Sequence, residues 1–83
     1  MAKVVLVTGG ATGIGEAIVR ELAQASYDIA IAYHTSHKEA QCLLEDITSA
    51  YFIHARIYQV DVSCEDQVKQ MMQAIDEEMG GVD

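Results

Sequence analysis

Two kinds of hydrophobic pattern alternate along this chain. Short unbroken apolar runs give way to longer stretches in which apolar residues return every third or fourth position, and the change happens three times. The run Val4-Val5-Leu6-Val7, rich in β-branched residues and followed by glycines, predicts a strand over residues 3–8 covered on both faces. From Gly13 to Ala25, Ile14, Ile18 and Leu22 recur every fourth position, with Ala17 and Ala25 widening the stripe, which predicts a helix with that stripe against the core. "YDIAIAY", residues 27–33, reads as a second strand. Ser36 and Glu39 have the spacing of a capping box, and Ala40, Leu43, Leu44 and Ile47 place one apolar face on the helix that follows. "ARIYQVDV", residues 55–62, is the third strand, whereas the apolar "SAYFIH" before it fits neither period. Ser63 is placed to cap a third helix with the stripe Val68, Met71, Met72, Ile75 and Met79, which Gly80 ends. The final "GVD" reads as a connection toward a fourth strand.

Strand and helix therefore alternate three times with short connections, which predicts an α/β fold with an open parallel sheet and right-handed crossovers. The expected strand order is 3-2-1. The first strand is then an uncovered edge, a place where another chain could associate. No repeat, linker or low-complexity tract interrupts residues 1–83, so one folding unit is expected.

The composition suits a globular chain: 51% hydrophobic, 22% charged and no proline. A net charge of −8 repels phosphodiester backbones and anionic lipid, so neither nucleic acid nor membrane is an expected partner. A small anionic ligand stays open, because backbone N–H groups hold a phosphate without net positive charge. Cys42 and Cys64 have neither the number nor the spacing of a metal site or disulfide framework. With no signal-peptide or membrane-spanning pattern, a cytoplasmic setting is expected. His37 and His54 match no metal-ligand pattern and read as surface residues, the helical methionines as core, and the acidic "DEEMGGVD" as a solvated face. Cys64 at a helix start lacks a redox partner in the sequence.

Between the first strand and the first helix stands "TGGATGIG", Thr8–Gly15, four glycines in eight residues. Such density suits either a flexible turn or a loop whose backbone lies against something too close for any side chain. A triphosphate-binding loop needs Lys and then Ser or Thr after its last glycine, but Gly15 is followed by Glu16 and Ala17. The G-x-G-x-x-G register also fails, since Gly13 and Gly15 would require glycine where Ile18 stands. T-G-x-x-x-G-x-G does fit, on Thr8, Gly9, Gly13 and Gly15, with Gly10 at a variable position. In this context the motif resembles the short-chain dehydrogenase/reductase family. The resemblance implies a Rossmann-type three-layer α/β/α domain, with Thr8, Gly9, Thr12, Gly13, Ile14 and Gly15 around a dinucleotide pyrophosphate. Glycines at a strand end let backbone approach that group, and a helix N-terminus offers it unpaired N–H groups.

Asp61 and Val62 carry the second part of the resemblance. In the family an aspartate at the end of the third strand accepts the adenine amino group, with the next residue's backbone beside the ring. At the end of the second strand, where NAD-binding domains present an acid to the ribose, stand Tyr33, His34, Thr35 and Ser36. The missing carboxylate removes a repulsion against a 2′-phosphate. His34, Thr35 and Ser36 are expected to donate hydrogen bonds to it with Lys38 nearby, so NADP is the expected cofactor and NAD less so. No arginine occurs here, a departure from the strongest NADP pattern in the family.

The family's catalytic tyrosine and lysine are spaced Y-x-x-x-K. None of the four tyrosines, at 27, 33, 51 and 58, has lysine four positions on, and no catalytic residue is assigned. The chain is thus expected to be the cofactor-binding half of a longer enzyme, inactive alone, whose parent resembles 3-oxoacyl-(acyl-carrier-protein) reductases acting on carbonyl or acyl-thioester substrates. The alternative is a non-catalytic dinucleotide-binding or interaction module.

Overall fold

In the computed structural model, which describes residues 3–83, six elements follow one another: β1 (Val4–Thr8), α1 (Gly13–Gln24), β2 (Asp28–Tyr33), α2 (His37–Ala50), β3 (Ala55–Gln59) and α3 (Glu65–Met79). The strands form one parallel sheet in the order β1-β2-β3, with Val5 beside Ile29 and Ile31 beside Ile57. This is the expected α/β architecture and strand order.

Alternation along β2 sets the layers. Ile29 and Ile31 pack with Val19 and Ala23 of α1 and Leu43 and Ile47 of α2. Ala30 and Ala32 point the other way, where Met71 and Ile75 of α3 fill the space that small side chains leave. All four β2 residues are at most 1% exposed. Full burial of an Ile such as Ile29 or Ile31 stabilises the fold by roughly 1.5–3 kcal/mol. On the far side of the sheet Tyr58 donates to Glu78, 2.7 Å away, tying β3 to α3. Burial first, and then this acceptor, push the Tyr58 phenol up to about 12.

Several expectations are corrected. The α1 face against the sheet is Val19 and Ala23 with Leu22, while Ile14 and Ile18 are 81% and 44% exposed and Ala17 and Ala25 are also exposed. Glu16 and Arg20 lie on the flank toward α2, where Arg20 bridges Glu16 and Asp46. The Ile14–Ile18 flank consequently lies on the side of α1 away from α2. Met72 is exposed beside the buried Met71 and Ile75, and Leu44 is only half-buried beside Leu43. α1 stops at Gln24, since Ser26 adopts φ 71° and lets Tyr27 N–H bond back to the Leu22 carbonyl, keeping Tyr27 out of β2. Tyr51 and Phe52 form an exposed bend. β3 is shorter than expected and ends at Gln59.

Neither expected serine cap forms. Ser36 stands at the N-cap of α2 without a side-chain hydrogen bond, at φ −90° and ψ 53° instead of the extended shape a capping side chain needs. At α3 the N-cap is Cys64, because the Ser63 hydroxyl is drawn to Asp61. Gly80 does end α3, in the left-handed region at φ 85°.

Residue 83 returns to β1. Asp83 N–H donates to the Val4 carbonyl at 2.9 Å, and Val4 N–H donates to Asp83 Oδ2 at 2.7 Å. Lys3 and Gly9 direct backbone groups toward β2, so the alternate residues Leu6 and Thr8 direct theirs outward along the rest of this edge.

Candidate functional site

The glycines of the first loop serve different purposes. Gly9 and Gly13 adopt φ of 66° and 58°, where L side chains are strained, and nothing lies within 4 Å of where their Cβ atoms would be. Gly15 has the opposite problem: a Cβ there would overlap the Gly9 carbonyl oxygen, so the start of α1 lies directly on the loop backbone. Gly10, assigned to a variable position, is buried, and a Cβ on it would stand 3.1 Å from Ile31 and Val19 and 3.2 Å from Val7. The loop is therefore a fixed shape and not a flexible turn. Gly9 N–H extends the sheet by donating to the Ala32 carbonyl at 2.9 Å.

Thr12 is the N-cap of α1, extended at φ −141° and ψ 157°, with no side-chain cap bond. The first-turn N–H groups of Gly13, Ile14 and Gly15 are thus left without a capping side chain, the arrangement that receives an anion at a helix N-terminus. Thr8, Thr12 and Ile14 are exposed around them.

The end of β2 differs from its reading. Tyr33 is buried at 7% exposure in a cluster with Ala11 of the glycine loop and Ala40 of α2. Its hydroxyl lies 2.6 Å from Nδ1 of His37, a residue read from sequence as a plain surface histidine. Tyr33 thus pins the glycine loop to α2. His34 and Thr35 are exposed and Ser36 half-buried in the connection between β2 and α2. The His34 carbonyl accepts Gln59 Nε2 at 3.2 Å, which ties this connection to β3. Lys38 lines a different cleft, between α1 and α2, with Glu16, Arg20, Glu39 and Asp46.

Asp61 lies two residues beyond β3, half-buried, with Val62 63% exposed beside it. Asp61 Oδ1 accepts the Ser63 hydroxyl at 2.6 Å and the Ser63 N–H at 3.0 Å. The Ser63 hydroxyl bond, followed by its N–H bond, holds the Asp61 carboxyl below the usual carboxylate range. Gln67 Oε1 accepts Asp61 N–H at 2.8 Å from the first turns of α3. Both Ser63 donors lie on Oδ1, and Oδ2 keeps its own acceptor capacity.

These pieces meet at the carboxyl ends of the strands. Thr8, Gly9, Ala32, Tyr33, His34, Val60, Asp61 and Val62 line a cavity of about 290 Å³. That is near the lower end of the roughly 300–1,000 Å³ of small-molecule sites, and open parallel sheets bind ligands at this end. Six expected site residues do not line this cavity: Thr12, Gly13, Ile14 and Gly15 form the loop and first turn beyond it, and Thr35 and Ser36 follow it on the α2 side. Gln67 and the Tyr33–His37 bond were invisible in the sequence pattern, because neither belongs to a hydrophobic period or a glycine spacing. Among the described residues no group of three or more His, Cys, Asp and Glu is arranged to hold a metal ion, and no helix is long and apolar enough to cross a membrane.

The family model for short chain dehydrogenase matches residues 3–83. Over 83 residues the chain is 35% identical to the 3-oxoacyl-(acyl-carrier-protein) reductase FabG of Staphylococcus epidermidis, covering all of this chain and 34% of that one. It thus spans about a third of the reductase's length. It is 43% identical over 81 residues to the short-chain dehydrogenase/reductase homolog YusS of Bacillus subtilis, covering 98% of this chain and 73% of that protein. Among solved structures, a blue fluorescent protein from a metagenomic library, in complex with NADPH, superposes with a TM-score of 0.89 at 37% identity, over 98% of this chain and 33% of that one.

Proposed function

This chain belongs to the short-chain dehydrogenase family, and on that premise we propose that residues 1–83 are the NADP(H)-binding half of a carbonyl reductase whose substrate is a 3-oxoacyl thioester. The observation that carries the reading is the convergence of the glycine loop, the end of β2 and Asp61-Val62 on one cavity at the carboxyl ends of the strands. The residues fit a dinucleotide: the loop presents uncapped N–H groups for a pyrophosphate, and the Cβ directions of Gly9 and Gly13 open onto free space. Similarity to an NADPH-bound protein and to a 3-oxoacyl reductase supports the cofactor and the substrate class.

When bound, the nicotinamide supplies the hydride. The residues of this chain hold and orient. First-turn N–H groups from Gly13 to Gly15 receive the pyrophosphate charge, Asp61 accepts the adenine amino group, and Val62 flanks the ring. His34, Thr35 and Ser36 face the adenosine ribose beside Tyr33, without a carboxylate to repel a 2′-phosphate. The proton donor to the developing alkoxide comes from outside these residues, since no Tyr here precedes Lys by four.

Calorimetry of the chain with NADPH and NADH tests the cofactor, with tighter NADPH binding expected and equal affinities contradicting it. Protein-dependent NADPH oxidation by the 83-residue chain with a 3-oxoacyl thioester would contradict the division of labour. A second reading, a dinucleotide-binding module without chemistry, is favoured by the extent of the match to YusS, of which this chain covers 73%. It predicts NADPH binding with no Y-x-x-x-K segment in the same polypeptide.

A further inference from the structure

Just past β3, Val60 N–H donates to the Tyr33 carbonyl at 2.8 Å, so the next N–H, that of Asp61, points away from β2. The Asp61 carbonyl accepts Cys64 N–H at 2.9 Å, and its Oδ1 accepts the hydroxyl and N–H of Ser63. Those bonds close a local turn, and a local turn can move as a unit. Among the described residues, the bond from Asp61 N–H to Gln67 Oε1, 2.8 Å long, is the one that ties Asp61 to α3 beyond its N-cap.

Gln67 is polar and stands outside the apolar stripe, yet it precedes Met71 by four residues and Ile75 by eight, on the same side of the helix. Met71 and Ile75 are buried with Ala30 and Ala32 of β2. An apolar residue at 67 would continue their row, but it would take away the acceptor of Asp61 N–H. Facing an N–H donor, the amide must present its oxygen. Gln67 thus joins a helix fixed by its core to a loop that borders the cavity.

We propose that Gln67 is the positioning residue through which Asp61 distinguishes a purine with a 6-amino group from one with a 6-oxo group. The assignment rests on the reading that Asp61 accepts the adenine amino group. A fixed carboxylate accepts from an amino group and repels a carbonyl oxygen in its place, whereas a carboxylate that can swing aside escapes the repulsion and discriminates less. Gln67 does not line the cavity and acts through Asp61.

The test compares 5′-AMP with 5′-IMP by calorimetry on the whole chain, in the unmodified protein and in Gln67→Ala, Gln67→Glu and Asp61→Asn. Phosphate and ribose are the same in both nucleotides, so the ratio of their affinities isolates the 6-position. The AMP preference is expected to fall about fivefold in Gln67→Ala, as one hydrogen bond is lost, and to stay within about twofold in Gln67→Glu, which keeps an acceptor. Asp61→Asn should abolish it. An equal loss of both affinities in Gln67→Ala, the mark of a merely structural role, overturns the assignment, as does no change in either, and the adenine reading then stands if Asp61→Asn still loses the preference. An unmodified chain that binds neither nucleotide or does not prefer AMP, or an Asp61→Asn chain that keeps the preference, overturns both.

Discussion

The loop after β1 is shaped by backbone, the loop after β3 by side chains. Around Gly9–Gly15 the constraints are left-handed φ values and a contact too close for any Cβ, and among the described residues no side-chain hydrogen bond holds the turn. Around Asp61 the turn has one backbone bond, from Cys64 N–H to the Asp61 carbonyl, and is otherwise held through side chains: the Asp61 carboxylate accepts the Ser63 hydroxyl and N–H, and Gln67 Oε1 accepts Asp61 N–H. Both loops border one cavity. A backbone-shaped loop keeps its form only while its glycines remain, and it can bring N–H groups against an anion. A loop held by side chains offers a carboxylate instead, and tolerates change at the cost of precision.

Replacing Gly15 with alanine should have the largest effect, because the new Cβ overlaps backbone that cannot step aside. We expect a loss of about 3 kcal/mol, read as a lower urea midpoint, together with loss of nucleotide binding. An unchanged midpoint would show that the loop is not rigid. Gly9→Ala meets no atom but must hold a left-handed φ, so about 1–2 kcal/mol is expected by the same measurement.

On the other side of the comparison, Gln67→Ala removes only the acceptor of Asp61 N–H, at an exposed position. About 1 kcal/mol or less is expected, with faster amide exchange at Asp61 and none of that change at Gly9. The smallest effect is one of pH. Because the folded-state carboxyl of Asp61 titrates below its unfolded value, its contribution is complete above the unfolded value, near pH 3.9, and is lost as pH falls through the lower folded one. Residues 8–15 hold no titratable side chain. Acid should therefore shift the Ser63 amide resonance and leave Gly9 and Gly13 in place; a joint shift would make the two loops one unit.

The same contrast explains what was legible in the sequence. Element order and the parallel sheet follow from β2, whose residues are apolar because both faces are covered, and from helices whose cores lie at Ala40, Leu43 and Ile47 or at Met71 and Ile75. The glycine loop was legible because backbone geometry leaves a residue type behind. Rotation of α1 was not, since Ile14 and Ile18 are as apolar as Val19, and only the packing of Val19 and Ala23 against β2 and α2 shows which face turns inward. The Ser63 cap failed for a related reason: its hydroxyl had a competing acceptor in Asp61, two residues away, and spacing does not rank competitors. The Tyr33–His37 bond escaped because it depends on where the Tyr33 ring comes to lie.

The β1 edge has a consequence for how the protein behaves in a test tube. Asp83 occupies only the Val4 end, and the open backbone groups of Leu6 and Thr8 lie on the side of the molecule that also carries the apolar Ile14–Ile18 flank. The net charge of −8 opposes the approach of two such edges, a repulsion that fades within about 8 Å at 0.15 M salt. Residues 1–83 on their own are therefore expected to stay dispersed in dilute buffer and to associate more as salt is raised, with light scattering as the check.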